Sequence, residues 1–87
     1  MGSVDATEGV LLKDLLEYLA KSLVDRPDEV HVEATETDTT VVLELSVAKD
    51  DVGKIIGRSG QTAKALRALV NAAATRLGEK VLLEIRE

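Results

Sequence analysis

The sequence predicts a small α+β domain of two layers, with three helices covering one face of a three-stranded mixed sheet. Three observations predict it. A leucine stripe at helical spacing lies near the N-terminus, and two alternating apolar segments follow it. A glycine-interrupted pair of helical segments then leads into a final short apolar run, so the order is α-β-β-α-α-β. With 87 residues the chain suffices for one compact domain with a modest core.

Residues 10–25, VLLKDLLEYLAKSLVD, set Leu11, Leu12, Leu15, Leu16, Leu19 and Leu23 at helical spacing, with Lys13, Asp14, Glu17 and Lys21 on the other side. Tyr18, among Leu11, Leu15 and Leu19, is expected to be half-buried. Pro27 stops the helix, and Arg26 before it is pushed out of helical geometry. Residues 29–36 alternate, with Val30, Val32 and Ala34 facing one way and His31, Glu33 and Thr35 the other. Residues 40–48 repeat the pattern with Val41, Leu43, Leu45 and Val47. Thr37-Asp38-Thr39 is short enough to join them as an antiparallel hairpin.

Asp50 or Asp51 can cap a short helix that runs to Ile56 and ends at Gly57. From Gln61 to Leu77 the residues Ala63, Leu66, Leu69, Val70, Ala73 and Leu77 form the next apolar stripe, while Lys64, Arg67, Asn71 and Thr75 face outward. Gly78 falls where a C-terminal cap belongs. Lys80 to Arg86 reads as a third strand with Val81, Leu83 and Ile85 inward. A strand, two helices and a returning strand favour a right-handed crossover, which sets the last strand parallel to the second and makes the second central.

Composition narrows the function classes. There is no Cys, which excludes disulfides and thiolate metal sites, and Tyr18 is the only aromatic residue. No apolar run is long enough to cross a bilayer, and the N-terminus lacks the basic start and apolar stretch of a secretory signal, so a cytoplasmic protein is expected. Residues 1–9 are expected to form a flexible extension, in which Met1-Gly2-Ser3 has the form of a cloning remnant and Ala6 breaks the myristoylation pattern. The domain proper is then 10–87.

A formal net charge of −5 argues against nucleic acid only on average. Residues 1–52 carry 4 basic and 13 acidic side chains, a balance of −9. Residues 53–78 carry Lys54, Arg58, Lys64, Arg67 and Arg76 with no acid, a balance of +5. Screening limits the reach of distant charges to about 10 Å, so the local patch sets the field that a phosphate meets. Five basic residues are also what a solvated helix face looks like, and position has to separate the two.

That position is the segment Val52-Gly53-Lys54-Ile55-Ile56-Gly57-Arg58-Ser59-Gly60-Gln61. Two glycines three apart join two helices by a very tight connection. Glycine opens backbone angles closed to other residues and lets a ligand's backbone come near the peptide. Unpaired N–H groups at a helix start favour an anion, and Arg58 and Ser59 add a charge and a hydroxyl. A bare G-x-x-G also serves as a plain helix–helix corner. Neither a G-x-G-x-x-G nor a Gly-Lys-Ser/Thr phosphate loop is present, since the glycines fall at 53, 57 and 60.

The segment GKIIGRSGQTAKALRALVNAAATRLGEKVLLEI resembles the core of a KH domain. With LLEYLAKSLVD and the Pro-Asp-Glu-Val strand start, residues 10–87 resemble the small stand-alone bacterial KhpA family, whose helix-first order is that of the type II KH fold. The resemblance implies a GxxG loop, here Gly57, Arg58, Ser59 and Gly60, that clamps about four single-stranded nucleotides by their backbone. It implies Ile55 and Ile56 as candidates for the apolar floor of the base groove, with core packing as the other reading for at least one of them. Lys54, Gln61, Lys64 and Arg67 become candidates to reach phosphates or base edges. Many KH loops carry more charge in the middle positions than Arg58 with Ser59, which lowers the expected affinity. The resemblance further implies a homodimer, or a heterodimer with another KH-containing protein, and a role as an RNA chaperone or post-transcriptional regulator.

The remaining polar residues suggest no chemistry of another kind. His31 is a lone histidine on the polar face of the first strand, and no second one exists to complete a metal site. Asp28-Glu29 and Asp50-Asp51 read as caps and turn residues, and Ser59 has no neighbouring base to make it a nucleophile. No catalytic set, metal or cofactor is expected. The alternative class is a protein–protein interaction module, a degenerate KH fold that mainly dimerises. Apolar residues left exposed after folding would favour it.

Overall fold

The computed structural model describes the backbone of residues 6–86 and the side chains of residues 9–86. The elements run α1 (Ala6–Leu23), β1 (His31–Glu36), β2 (Thr40–Ser46), α2 (Val52–Ile56), α3 (Gln61–Arg76) and β3 (Lys80–Ile85), with 3-10 turns at Pro27–Glu29, Lys49–Asp51 and Arg58–Gly60. The expected α-β-β-α-α-β order is thus found. α1 begins at Ala6 and not near Val10, so residues 6–9 of the expected extension are helical. The expected flexibility of residues 1–5, including Met1-Gly2-Ser3, concerns positions outside the described residues.

The sheet order is β1-β2-β3. β1 pairs antiparallel with β2, with Val32 opposite Leu45 and Ala34 opposite Leu43. β3 pairs parallel with β2, with Val41 opposite Val81 and Leu43 opposite Leu83. The hairpin closes where Thr37 donates both its N–H and its hydroxyl to Thr40 O. Alternation along β2 puts Val41, Leu43 and Leu45 wholly inside, while Val42, Glu44 and Ser46 are half-buried on the uncovered face. The helices therefore lie on one side of the sheet.

Leu12, Leu16 and Ala20 of α1 meet Val41, Leu43, Leu45, Ile55, Leu66 and Val70 in a single core. Burial of such aliphatic side chains, at roughly 1.5–3 kcal/mol each, is the main force holding the layers together. Expectations of burial fail at five residues, Tyr18, Leu11, Leu23, Leu69 and Ala34. Tyr18 is 71% exposed and Leu11 is 52% exposed. Seven residues apart, they share a flank of α1 turned away from the Leu12-Leu16-Ala20 seam. Leu69 is 52% exposed, because the seam of α3 runs through Ala63, Leu66, Val70 and Ala74 and leaves Leu69 a quarter-turn to the side. Ala34 is exposed on the outer strand.

Gly78 ends α3 as expected. With φ 77° it lets its N–H reach Thr75 O and the Glu79 N–H reach Ala74 O, the paired bonds of a Schellman cap. The chain then enters β3 without a long connection.

Candidate nucleic-acid interface

α2 is five residues long, and Gly57 closes it by donating its N–H to Gly53 O at 2.8 Å. Gly57 adopts φ 75°, ψ 175°, a region open in practice to glycine alone. A Cβ there would overlap the Thr62 side chain and lie 2.9 Å from the Thr62 nitrogen. The first glycine is therefore required both for its backbone angles and for the space it leaves. Gly60, at φ 73°, ψ 13°, opens α3 from the left-handed region with nothing near its Cβ position. Between them Ser59 is itself left-handed, at φ 56°, ψ 26°, the only described non-glycine residue with positive φ.

The consequence is a corner whose middle residues point to solvent. Gly60 N–H donates to Gly57 O, and Gln61 N–H to Arg58 O. Among the described residues the N–H groups of Arg58 and Ser59 donate to no backbone acceptor. Both side chains are exposed, and among the described residues neither forms an ion pair or a side-chain hydrogen bond. Two free backbone donors, a guanidinium and a hydroxyl thus share one convex corner at the head of a 16-residue helix, whose dipole adds to the attraction for anions.

α3 continues the positive strip. Gln61, Lys64 and Arg67 recur every three residues, so each neighbours the next on the helix surface. All are exposed, and Lys64 and Arg67 have no acidic partner among the described residues. Asn71, also exposed, lies one turn beyond Arg67 on the same flank.

Two of the residues expected to touch a ligand are placed elsewhere. Ile55 is fully buried, since one side of so short a helix has to face the core. Ile56 is half-buried and remains available at the surface. Lys54 turns back toward the end of α1, where its ammonium meets Asp25 Oδ2 at 2.8 Å and Asp51 Oδ1 at 3.4 Å. The opposite charges compete with any phosphate, so Lys54 does not belong to the free cations of the strip.

Asp51 is the feature that the pattern of residues did not disclose. Its side chain makes no capping bond to α2. Instead it lies buried, accepting Asp25 N–H at 3.3 Å and Arg26 N–H at 3.0 Å. Burial works to raise its pKa, but the Arg26 and Asp25 N–H bonds and the Lys54 ammonium outweigh it and hold the carboxyl below its ordinary value near 3.8. A depressed folded-state pKa stabilises the fold above the unfolded value, and that contribution is lost as pH falls through the folded value. The stability gap between the wild type and Asp51→Asn in urea unfolding is therefore expected to be full at about pH 6 and to narrow in acid. A gap that stays constant as the solution is acidified would show that the ionised carboxylate stabilises nothing. Lys54 is held above its ordinary 10.5, chiefly by its hydrogen bond to Asp25 and against the opposing effect of partial burial.

The helix-first order, the mixed sheet with a central second strand, and the GxxG corner between two helices define a KH domain of type II. Sequence comparison makes the assignment narrower. Residues 13–85 match the family described as KhpA/KhpB, KH domain, and the chain belongs to that family. It is 51% identical over 76 residues to the RNA-binding protein KhpA of Chlamydia caviae, a match covering 87% of this chain and 97% of that one. It is 47% identical over 74 residues to the RNA-binding protein KhpA of Clostridium perfringens, covering 85% of this chain and 99% of that one. Among solved structures the Aquifex aeolicus Era bound to GDP.AlF4- superposes with a TM-score of 0.65 at 22% identity, covering 94% of this chain and 31% of that chain. Era in complex with MgGDPNP and nucleotides 1506–1542 of 16S ribosomal RNA gives 0.63, also at 22% identity, covering 88% and 30%. The chain thus spans about a third of those proteins, and the likeness to them is one of fold. No described helix is long and apolar enough to cross a membrane.

Proposed function

We propose that this chain is a non-catalytic binder of single-stranded RNA that holds the sugar-phosphate backbone at Gly57, Arg58, Ser59 and Gly60. The observation that carries the proposal is the pair of unpartnered N–H groups at Arg58 and Ser59, set beside a free guanidinium at the head of the acid-free stretch. Gln61, Lys64 and Arg67 carry the strand onward along α3, and Ile56 offers an apolar contact to a base. The curated relatives named as RNA-binding proteins support the same assignment at near-full length. RNA fits better than DNA-duplex readers, because a convex corner with no aromatic and no groove-filling helix suits a flexible single strand.

Binding by one such domain is weak and tolerant of sequence, since stacking on aromatics, worth about 1–3 kcal/mol per base elsewhere, is missing. With about three phosphates neutralised, log affinity falls with log salt at a slope near −2. Fluorescence anisotropy on a short labelled single strand, titrated across salt, measures that slope directly. No binding at low salt, or a flat dependence, would remove the proposal. A weak single unit gains affinity when paired with another, which fits a cytoplasmic RNA chaperone or post-transcriptional regulator acting as a homodimer or with another KH-containing protein.

A second reading, association as the main role, draws on one observation. An apolar groove of about 430 Å³ lies between the end of α1 and the start of α3, bordered by Leu19, Leu23, Ala65 and Leu69, and Leu23 and Leu69 stay exposed. Sedimentation at several concentrations separates the readings. Association with no RNA binding favours the second, and the two together fit a paired binder.

A further inference from the structure

Asp51 is the one charged side chain that the fold buries among the described residues, at 1% exposed, and contact with RNA makes no use of it. Its position explains it better than its charge does. Asp51 stands immediately before α2 and six residues before Gly57, while its two oxygens are taken by the N–H groups of Asp25 and Arg26. Those two residues lie between the end of α1 and Pro27, outside the helical ladder. One carboxylate therefore fastens the exit of α1 to the entry of α2. Lys54, one turn further along α2, ties back to the same two acids.

A helix of five residues has too few internal bonds to hold a direction by itself. α2 is fixed by Ile55 in the core and by this staple. Its last turn carries the corner, because Gly57 N–H is bonded to Gly53 O and Gly60 N–H to Gly57 O. A tilt of α2 would thus move Arg58 and Ser59 with it.

We infer that Asp51 is a positioning residue for the glycine corner, fastening α2 to the end of α1 so that Gly57–Gly60 present their free donors in one fixed orientation. The affinity arm of its test rests on the RNA-binding reading, while the exchange arm does not. Three proteins are compared: the wild type, Asp51→Asn, and Val32→Ala, a buried substitution on the outer strand β1, beside the start of α1, that supplies a general loss of stability. Asn keeps the shape and one acceptor oxygen but leaves one N–H unpaired and ends the ion pair with Lys54. Native-state amide hydrogen exchange at Gly57 and Gly60 is expected to speed up about tenfold more in Asp51→Asn than in Val32→Ala. Affinity for a short single-stranded RNA, measured well below the melting point, is expected to fall about tenfold in Asp51→Asn and to hold in Val32→Ala. If both substitutions lower the melting temperature while corner exchange and affinity remain alike, Asp51 is a stability element and the inference is overturned. If the wild type binds no RNA, the functional reading fails, and the exchange data still decide the role of Asp51. Should Asp51→Asn not fold, Lys54→Met keeps the carboxylate and its N–H bonds while removing the second tie. A twofold to threefold faster exchange at Gly57 supports the staple, and unchanged exchange sinks it.

Discussion

Gly57→Ala is expected to destabilise the domain by about 3–5 kcal/mol, most of what a chain of this size has to lose. Two effects add. An alanine at φ 75°, ψ 175° sits where a side chain is strained. Its Cβ would also collide with Thr62, including the backbone nitrogen at 2.9 Å, which cannot swing aside as a side-chain end could. Gly60→Ala has only the first kind of penalty, since nothing lies within 4 Å of its Cβ position, and about 1–2 kcal/mol is expected. In thermal melts followed by circular dichroism, about 4–8 °C per kcal/mol for a domain of this length separates the two variants clearly. Equal losses at Gly57 and Gly60 would mean that Thr62 does not press on the first glycine, and the described corner would be wrong.

Arg58→Asp combined with Ser59→Asp is expected to leave the fold intact and weaken RNA binding on the order of 100-fold at low salt. The size follows from losing two contacts to charged groups at about 1.5–3 kcal/mol each, discounted for their exposure to water. The fold survives because both side chains are exposed and, among the described residues, unpartnered, and such surface changes usually stay within about 0.5 kcal/mol. Aspartate also tolerates the left-handed angles that Ser59 adopts. The salt slope should become shallower by roughly 0.7, one phosphate fewer. Anisotropy on the same labelled strand reads both quantities, and a melt confirms folding. Undiminished binding by the double variant would move the RNA site away from the corner, whatever the family resemblance.

The two variants separate what the glycines do from what the residues between them do. Gly57 is an architectural requirement, set by backbone angle and by Thr62. Arg58 and Ser59 are free of structural duty, which is the condition for a residue to serve a ligand. Lys54 fails that condition. Its ammonium already has two carboxylates, and a strand of RNA would have to displace them.

Much of this was legible in the sequence because it depends on neighbours in the chain. Period-two alternation marked the inward faces of the strands and Gly78 the end of α3 by local chemistry, whereas α1 stops at Leu23, four residues before Pro27 and short of the expected 10–25 span. The GxxG corner, the acid-free stretch from 53 to 78 and the parallel return of the last strand follow from order and spacing. What spacing could not settle was which of two adjacent residues faces inward on a helix. Leu69 and Val70, or Ile55 and Ile56, are equally apolar, and only the packing of α1 and the sheet around them chooses. Tyr18 and Leu11 lie outside the core for the same reason, since an apolar stripe broad enough to bury is also broad enough to overhang.

The sequence by itself determined the element order, the family, and the glycine corner with its basic continuation, because each is written in residues close together along the chain. Tertiary structure alone decided that Ile55 is core, that Lys54 is already paired, and that Asp51 fastens α1 to α2. The bonds of Asp51 to the Asp25 and Arg26 N–H groups, and of Lys54 to Asp25, join residues 25 to 29 positions apart. A carboxylate that accepts backbone N–H groups leaves no pattern in the sequence of its partners, for every residue but proline carries that donor.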